Sequence, residues 1–266
     1  MKVLIKGAGD LATGAACRLH RCGAQIIMTD LPVPTAVRRT VSFSRAVYEG
    51  HAEVEGITAR RCDTLEAAQA VLNAGEIAVI PDPKASFREQ WRPDAVVDAI
   101  LAKQNLGTAI TDAPVVVALG PGFTAGIDCH CVVETKRGHY LGSCIYQGSA
   151  IPNTGIPGSI GGYTVERILR APCAGMFTPV VHIGDTVTAG DVCGLVDGVP
   201  MKSAISGVVR GLLQDGVTVF AGMKSGDVDP RCEPAHCFTI SDKARAVGGG
   251  VVEAVFYLTQ KRCSHG

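Results

Sequence analysis

Aromatic residues are scarce in this 266-residue chain, 5% of the total with a single tryptophan, and neither sign of charge prevails, with 25 Lys and Arg against 25 Asp and Glu. The missing cationic excess excludes a nucleic-acid binder driven by bulk charge, because neutralising phosphates needs a surplus of Lys and Arg on at least one face. Also lacking is any run of about 18 uncharged apolar residues, the length that a membrane-crossing helix requires. Lys6 and Asp10 interrupt the stretch where an apolar signal core would run, so no secretory leader is read in MKVLIKGAGD. No C-x-x-C pair occurs among the eleven cysteines, and an odd count without a leader speaks against a secreted disulfide scaffold. The expectation is a cytoplasmic, reduced chain whose thiols are mostly small buried hydrophobes, with neither nucleic acid nor membrane as a partner.

Hydrophobic residues, at 47%, and 32 glycines are what the chain has in abundance. They allow a sizeable core and a turn-rich backbone that can approach a ligand closely. Val3, Leu4 and Ile5 read as a short strand, followed by Gly7, Ala8, Gly9, Asp10, Leu11 and Ala12 and then helix-compatible sequence to His20. A G-x-G-x-x-A turn between strand and helix is a phosphate-binding pattern. Gly7 makes the turn, Gly9 admits a pyrophosphate, Ala12 lets helix and strand pack closely, and the helix amides face the anion. A second strand ends at Asp30, where a ribose-binding acid is expected. The same small residues and Asp30 would also suit a purely structural turn. Asp10 adds like charge beside an anion, which Arg38 and Arg39 could offset.

Residues 65–73 suit a helix, and 77–80, 94–100 and 114–119 suit buried strands, so alternation of helix and strand predicts a parallel sheet. A second glycine loop, with Gly120 and Gly122, follows the last of these strands and could face the crevice of the first. Cys129, His130 and Cys131 invite a metal reading, but C-x-C without a second pair does not match structural zinc spacing, and no metal is expected. Asn153, Thr154 and Gly155, continuing to Gly158, form a polar loop that could close over a ligand or link domains.

Beyond Ala171 the pattern changes. Gly175, Gly184 and Gly190 are followed at the same spacing by Gly207, Gly216 and Gly222, an offset of 32. Two such half-domains need each other to bury their apolar faces. The turn from Gly184 to Gly190 resembles that of biotinyl and lipoyl domains. Lys202 lies too close to Gly207 to sit on a carrier hairpin. The expected architecture is therefore α/β, with a Rossmann-like parallel-sheet domain (1–165), an all-β barrel-sandwich hybrid of biotinyl/lipoyl type (166–235), and a C-terminal helical segment (236–266) packing on the first domain.

In order along the chain, Lys6 to Gly14, Arg38 to Phe43, Ala46 to Gly50, Gly120 to Phe123, Pro152 to Gly158, Asp229 to Arg231 and Thr239 to Ala244 resemble the selenium-dependent molybdenum hydroxylase accessory proteins (YqeB-like). That resemblance implies a maturation factor that handles the molybdenum cofactor, or a selenium or sulfur ligand bound for it. Its partners would be the hydroxylase and other maturation proteins. The physical reading adds a small phosphate-bearing ligand, held by Gly7, Gly9, Asp10, Ala12, Asp30, Arg38, Arg39, Gly120, Gly122 and Asn153. Cys237 and Cys129 are the candidate catalytic thiols, since accessible thiolates exchange chalcogen atoms. The cofactor is molybdenum cofactor or a nucleotide ahead of NAD. An NAD-dependent oxidoreductase and a non-catalytic docking scaffold stay open as alternatives, as do enzyme status and homo-oligomerisation.

Overall fold

The computed structural model describes residues 1–155 and 158–264; Ile156 and Pro157 of the Asn153 loop fall outside them. The chain divides into two compact units: Met1–Pro32 with Phe43–Thr154 and Ile240–Gly266, and Val33–Ser42 with Gly155–Thr239.

The first unit is built on strands β1 (Lys2–Lys6), β2 (Gln25–Thr29), β3 (His51–Val54), β4 (Ile57–Arg61), β5 (Ile77–Ile80), β6 (Ala95–Asp98), β7 (Val115–Leu119), β8 (Cys131–Val133) and β9 (Cys144–Ile145). They form one sheet in the order β3-β4-β5-β2-β1-β6-β7-β8-β9. The strands from β4 to β8 run parallel. Residues of β5, β6 and β7 are buried along their whole length, as strands covered on both faces must be.

Helices α1 (Asp10–Arg21), α2 (Ala46–Glu49), α3 (Leu65–Asn73), α4 (Arg88–Trp91) and α5 (Asp242–Cys263) complete the unit. In α1, Asp10 occupies the first turn and Arg18, His20 and Arg21 the last, matching the helix dipole at both ends. Helix α5 starts at Ser241, whose side chain accepts the Ala244 N–H. Glycine inside a helix costs about 1 kcal/mol relative to alanine, yet α5 carries Gly248, Gly249 and Gly250. Two of them allow close approach: a Cβ on Gly248 would meet the Gly14 oxygen at 2.8 Å, and one on Gly250 would collide with the carbonyl oxygen of Gly142.

The second unit contains β10 (Ile168–Arg170), β11 (Gly175–Pro179), β12 (Thr186–Val187), β13 (Val192–Val196), β14 (Val199–Lys202), β15 (Gly207–Leu212), β16 (Thr218–Val219) and β17 (Lys224–Asp229). Strands β11, β12 and β13 recur as β15, β16 and β17, each starting 32 residues later. The two sheets are β10-β17-β15-β12 and β14-β13-β11-β16. Each half-repeat thus lends its short strand to the other half's sheet, because β12 pairs with β15 and β16 with β11. Phe177, Met201, Val209, Leu212 and Val228 are buried at its centre.

These sheets correct the expectation of a Rossmann-like parallel-sheet domain followed by a biotinyl/lipoyl-type barrel-sandwich hybrid. The first sheet is mixed: β3 with β4 and β8 with β9 are antiparallel. A two-residue turn at Glu55 and Gly56, both with positive φ, folds β3 back on β4, and so short a link can join only antiparallel strands. Among the described residues no helix lies between β6 and β7 or between β7 and β8, so the alternation of strand and helix ends halfway across the sheet. The second unit is two separate four-stranded sheets.

Candidate ligand site at the carboxyl ends of the parallel strands

The chain runs from β1 through β2 to β5 on one side of β1, then crosses to β6 on the other. Such a switch point leaves a crevice outside the carboxyl ends of the strands, where ligands of open sheets bind. Gly7, with φ +93°, turns the chain there; its N–H donates to the Thr29 oxygen at 2.8 Å. A Cβ on Gly7 would lie 2.8 Å from the Ala99 oxygen, so the loops after β1 and β6 touch.

Asp30, at the end of β2, accepts the Ala8 N–H on one oxygen at 3.0 Å and the Leu31 N–H on the other at 2.7 Å. Burial pushes its carboxyl above the ordinary range, against those two hydrogen bonds. The structure makes Asp30 a residue that positions the glycine turn. Gly9 precedes α1 in extended conformation with no side-chain cap, and a Cβ there would meet nothing within 4 Å. Asp10 opens the helix, and Ala12 is wholly buried.

Next to this turn lies a buried polar network that the sequence reading did not single out. The register of β1 on β6 sets Lys6 beside Asp98. The Lys6 Nζ donates to Thr108 Oγ1 at 2.6 Å, the Thr108 hydroxyl donates to Asp98 Oδ2 at 2.6 Å, and the two charges stand 3.8 Å apart. Ile100 N–H completes the carboxylate's partners. The available signal was a charge at the end of two otherwise apolar strands, Val3-Leu4-Ile5-Lys6 and Ala95-Val96-Val97-Asp98.

Gly120 and Gly122 follow β7 with φ +76° and +108°. A Cβ on Gly122 would come within 2.6 Å of the Gln104 backbone, so close packing of the loops after β6 and β7 accounts for it. Gly7, Gly9, Asp10, Ala12 and Asp30 are gathered at one turn, while Gly122 joins the same sheet edge through the β6 loop and Gly120 packs against Thr135.

Other expected residues lie elsewhere. Arg38 and Arg39 belong to the second unit, where Arg38 donates to the His236 and Thr239 oxygens and Arg39 to Leu212 oxygen and Gln214 Oε1. Asn153 is exposed near the end of the second stretch of the first unit. Cys129 and Cys237 are both 0% exposed. Burial, with Asp128 nearby, pushes the Cys129 thiol up to about 12, and burial raises Cys237 as well. Neither is exposed, the condition under which a thiolate exchanges chalcogen atoms readily. Among the described residues no three His, Cys, Asp or Glu side chains group to hold a metal ion.

No protein-family model matches the chain. It is 51% identical over 256 residues to "Uncharacterized protein YqeB" of Escherichia coli (strain K12), a match spanning 96% of this chain and 47% of that protein. The chain is therefore YqeB-like over nearly its whole length and spans about half the length of the curated relative it matches. Solved structures include an aspartoacylase family protein from Mesorhizobium loti (16% identity, 77% of this chain and 84% of that one, TM-score 0.25). Two more are a succinylglutamate desuccinylase from Silicibacter sp. (12%, 85% and 84%, TM-score 0.26) and the ectoine utilization protein EutE from Ruegeria pomeroyi (14%, 85% and 84%, TM-score 0.26).

The expected role in maturing a selenium-dependent molybdenum hydroxylase is not borne out: the relative that shares 51% identity is uncharacterized, and its match brings no activity to this chain. Likeness at these TM-scores transfers no activity to this chain. No helix among the described residues is long and apolar enough to cross a membrane.

Proposed function

Taking the chain as a YqeB-like protein, we propose that its first unit binds a nucleotide, with the phosphates against the Gly7-Ala8-Gly9 turn and the first amides of α1. One observation carries this reading. Gly9 has φ −69° and open space where a side chain would be, so neither backbone strain nor packing calls for glycine. Ser, Thr, Asp or Asn at that helix cap would add a side-chain acceptor for the first amides and a few tenths of a kcal/mol of stability over glycine. Leaving the cap bare exposes amides and positive helix potential to an anion. The crossover between β2 and β6, on either side of β1, supports the same place.

Gly9→Asp tests it, because the substitution supplies the missing cap while setting a carboxylate in the anion's position. The expected outcome is an unchanged or raised melting temperature. Binding of adenine or cytidine nucleotides, measured by calorimetry on the wild type, falls at least tenfold. Absence of binding by the wild-type protein, or equal binding by Gly9→Asp, refutes the reading.

A further inference from the structure

We propose that a second site, at the amino ends of β6, β7 and β8 on the opposite edge of the sheet, binds a compact polyanion carrying two or more negative charges. A cavity of about 750 Å³ opens there, walled by Arg88, Arg92, Arg262 and His130 among others. That volume lies within the usual range of small-molecule pockets, roughly 300–1,000 Å³.

Three guanidiniums meet two carboxylates in the wall, Glu89 and Asp112. Asp112 is committed: one oxygen pairs with Arg88 at 2.6 Å and the other accepts the Ala109 N–H at 3.1 Å. This anchors Arg88 in place. Among the described residues no carboxylate pairs with Arg92 or Arg262, which leaves two planar donor forks for an incoming anion.

Arg92 also holds a backbone conformation that an L-residue resists, φ +50° at the C-cap of α4. Glycine would occupy it without strain, so keeping arginine points to a use for the side chain. His130 adds a directed donor. Its Nδ1 accepts the Val116 N–H at 3.0 Å, which assigns the ring proton to Nε2 in the neutral form. Burial, and then the charge of Arg262, hold this imidazole below its usual range, so at pH 7 it is a neutral N–H donor amid cationic groups. A bound polyanion would raise its pKa, with Arg88, Glu89, Arg92, Asp112 and Arg262 the charged groups lining the same cavity.

The test uses the full chain with pyrophosphate and citrate as probes and acetate at matched ionic strength as control. Calorimetry reads binding, and NMR of the His130 ring, identified by its loss in His130→Gln, reads location. Saturable binding of at least one polyanion, at least tenfold tighter than acetate, with a rise in the His130 pKa is expected. The variant Arg92→Gly with Arg262→Ala should lose at least tenfold in affinity and the His130 response, while relief of the Arg92 strain keeps it folded. Gly9→Asp, which removes the proposed nucleotide site, should leave citrate binding and the His130 response to either polyanion unchanged. The proposal is overturned if neither polyanion binds, if acetate binds as well, if the double variant binds like wild type, or if Gly9→Asp abolishes the His130 response.

Discussion

Removing Lys6 tests whether the buried Lys6–Thr108–Asp98 network is a paired-charge device that holds the carboxyl ends of β1 and β6 together. Both side chains are nearly inaccessible, 7% and 2% exposed, at 3.8 Å separation. Two unit charges at that distance attract by roughly 4 kcal/mol at an effective dielectric constant near 20. Lys6→Met keeps the length of the side chain and strands a buried carboxylate with only Thr108 and the Ile100 amide as partners. Breaking one side of a buried pair costs about 3–5 kcal/mol, which for a domain of this size lowers the melting midpoint by roughly 6–20 °C. Trp91 is the only tryptophan in the chain and lies buried in the core of the first unit, so its fluorescence during urea unfolding reports that unit directly. Adding Asp98→Asn removes the stranded charge, keeps an acceptor for the Ile100 N–H and offers its amide NH2 to the Thr108 hydroxyl, which no longer accepts from Lys6. The double variant should recover part of the loss, with a coupling of about 2–3 kcal/mol. A single-variant loss under about 1 kcal/mol, or strictly additive effects, would refute the paired-charge account.

Acid should destabilise the second unit through Asp229. Its carboxyl is 1% exposed and touches Arg231 at 2.6 Å and Arg210 at 3.6 Å. Burial opposes its ionisation, but hydrogen bonds from Arg231 and the charges of Arg231 and Arg210 win and bring the pKa down to about 2. A native pKa below the unfolded value stabilises above the unfolded pKa, near 4, and that contribution, on the order of 2 kcal/mol, is lost as pH falls toward 2. Circular dichroism should show Asp229→Asn flattening this part of the pH–stability curve; an unchanged slope refutes the assignment. For the thiols, Cys22, Cys232 and Cys263 are exposed whereas Cys129 and Cys237 are buried. Iodoacetamide at pH 8 should label the first three rapidly and the other two only on unfolding. Mass spectrometry finding Cys237 labelled at the rate of Cys22 would overturn its burial.

Local pattern carried far in this sequence. Helix α3 and strand β5 stand where residues 65–73 and 77–80 predict them, because each is a short apolar period bounded by turn residues. The glycine spacing at 175–222 marks real strand repeats for the same reason. What escaped are features made by pairing across distance. The β3–β4 hairpin hides in a run that alternates exposed and buried residues, and its turn, Glu55-Gly56, carries a glutamate where asparagine or aspartate is the usual signal. Asp98 reads as the end of an apolar strand until the register with β1 sets Lys6 beside it. Asp30 was legible in position, and the structure adds what its spacing does not show: its two oxygens accept the backbone amides of Ala8 and Leu31. Cys129 and Cys237 offered reactive chemistry by residue type alone, and their depth in the fold, which raises the pKa of both thiols, is not visible in the sequence.

The path of the chain between the units bears on how the protein is made. It leaves the first unit after Pro32, contributes Val33–Ser42 to the second, and returns at Phe43. The carbonyl of Val37 accepts the Leu212 N–H at 2.7 Å, so during synthesis this segment waits for a partner more than 170 residues behind it. Helix α5, which closes the first unit against Gly14, is later still. The second unit cannot be completed until β15 has been made, nor the first until α5 has. More than 200 residues separate α1 from α5 along the chain, so during synthesis the face of α1 at Gly14 that packs on α5 is left uncovered for that interval.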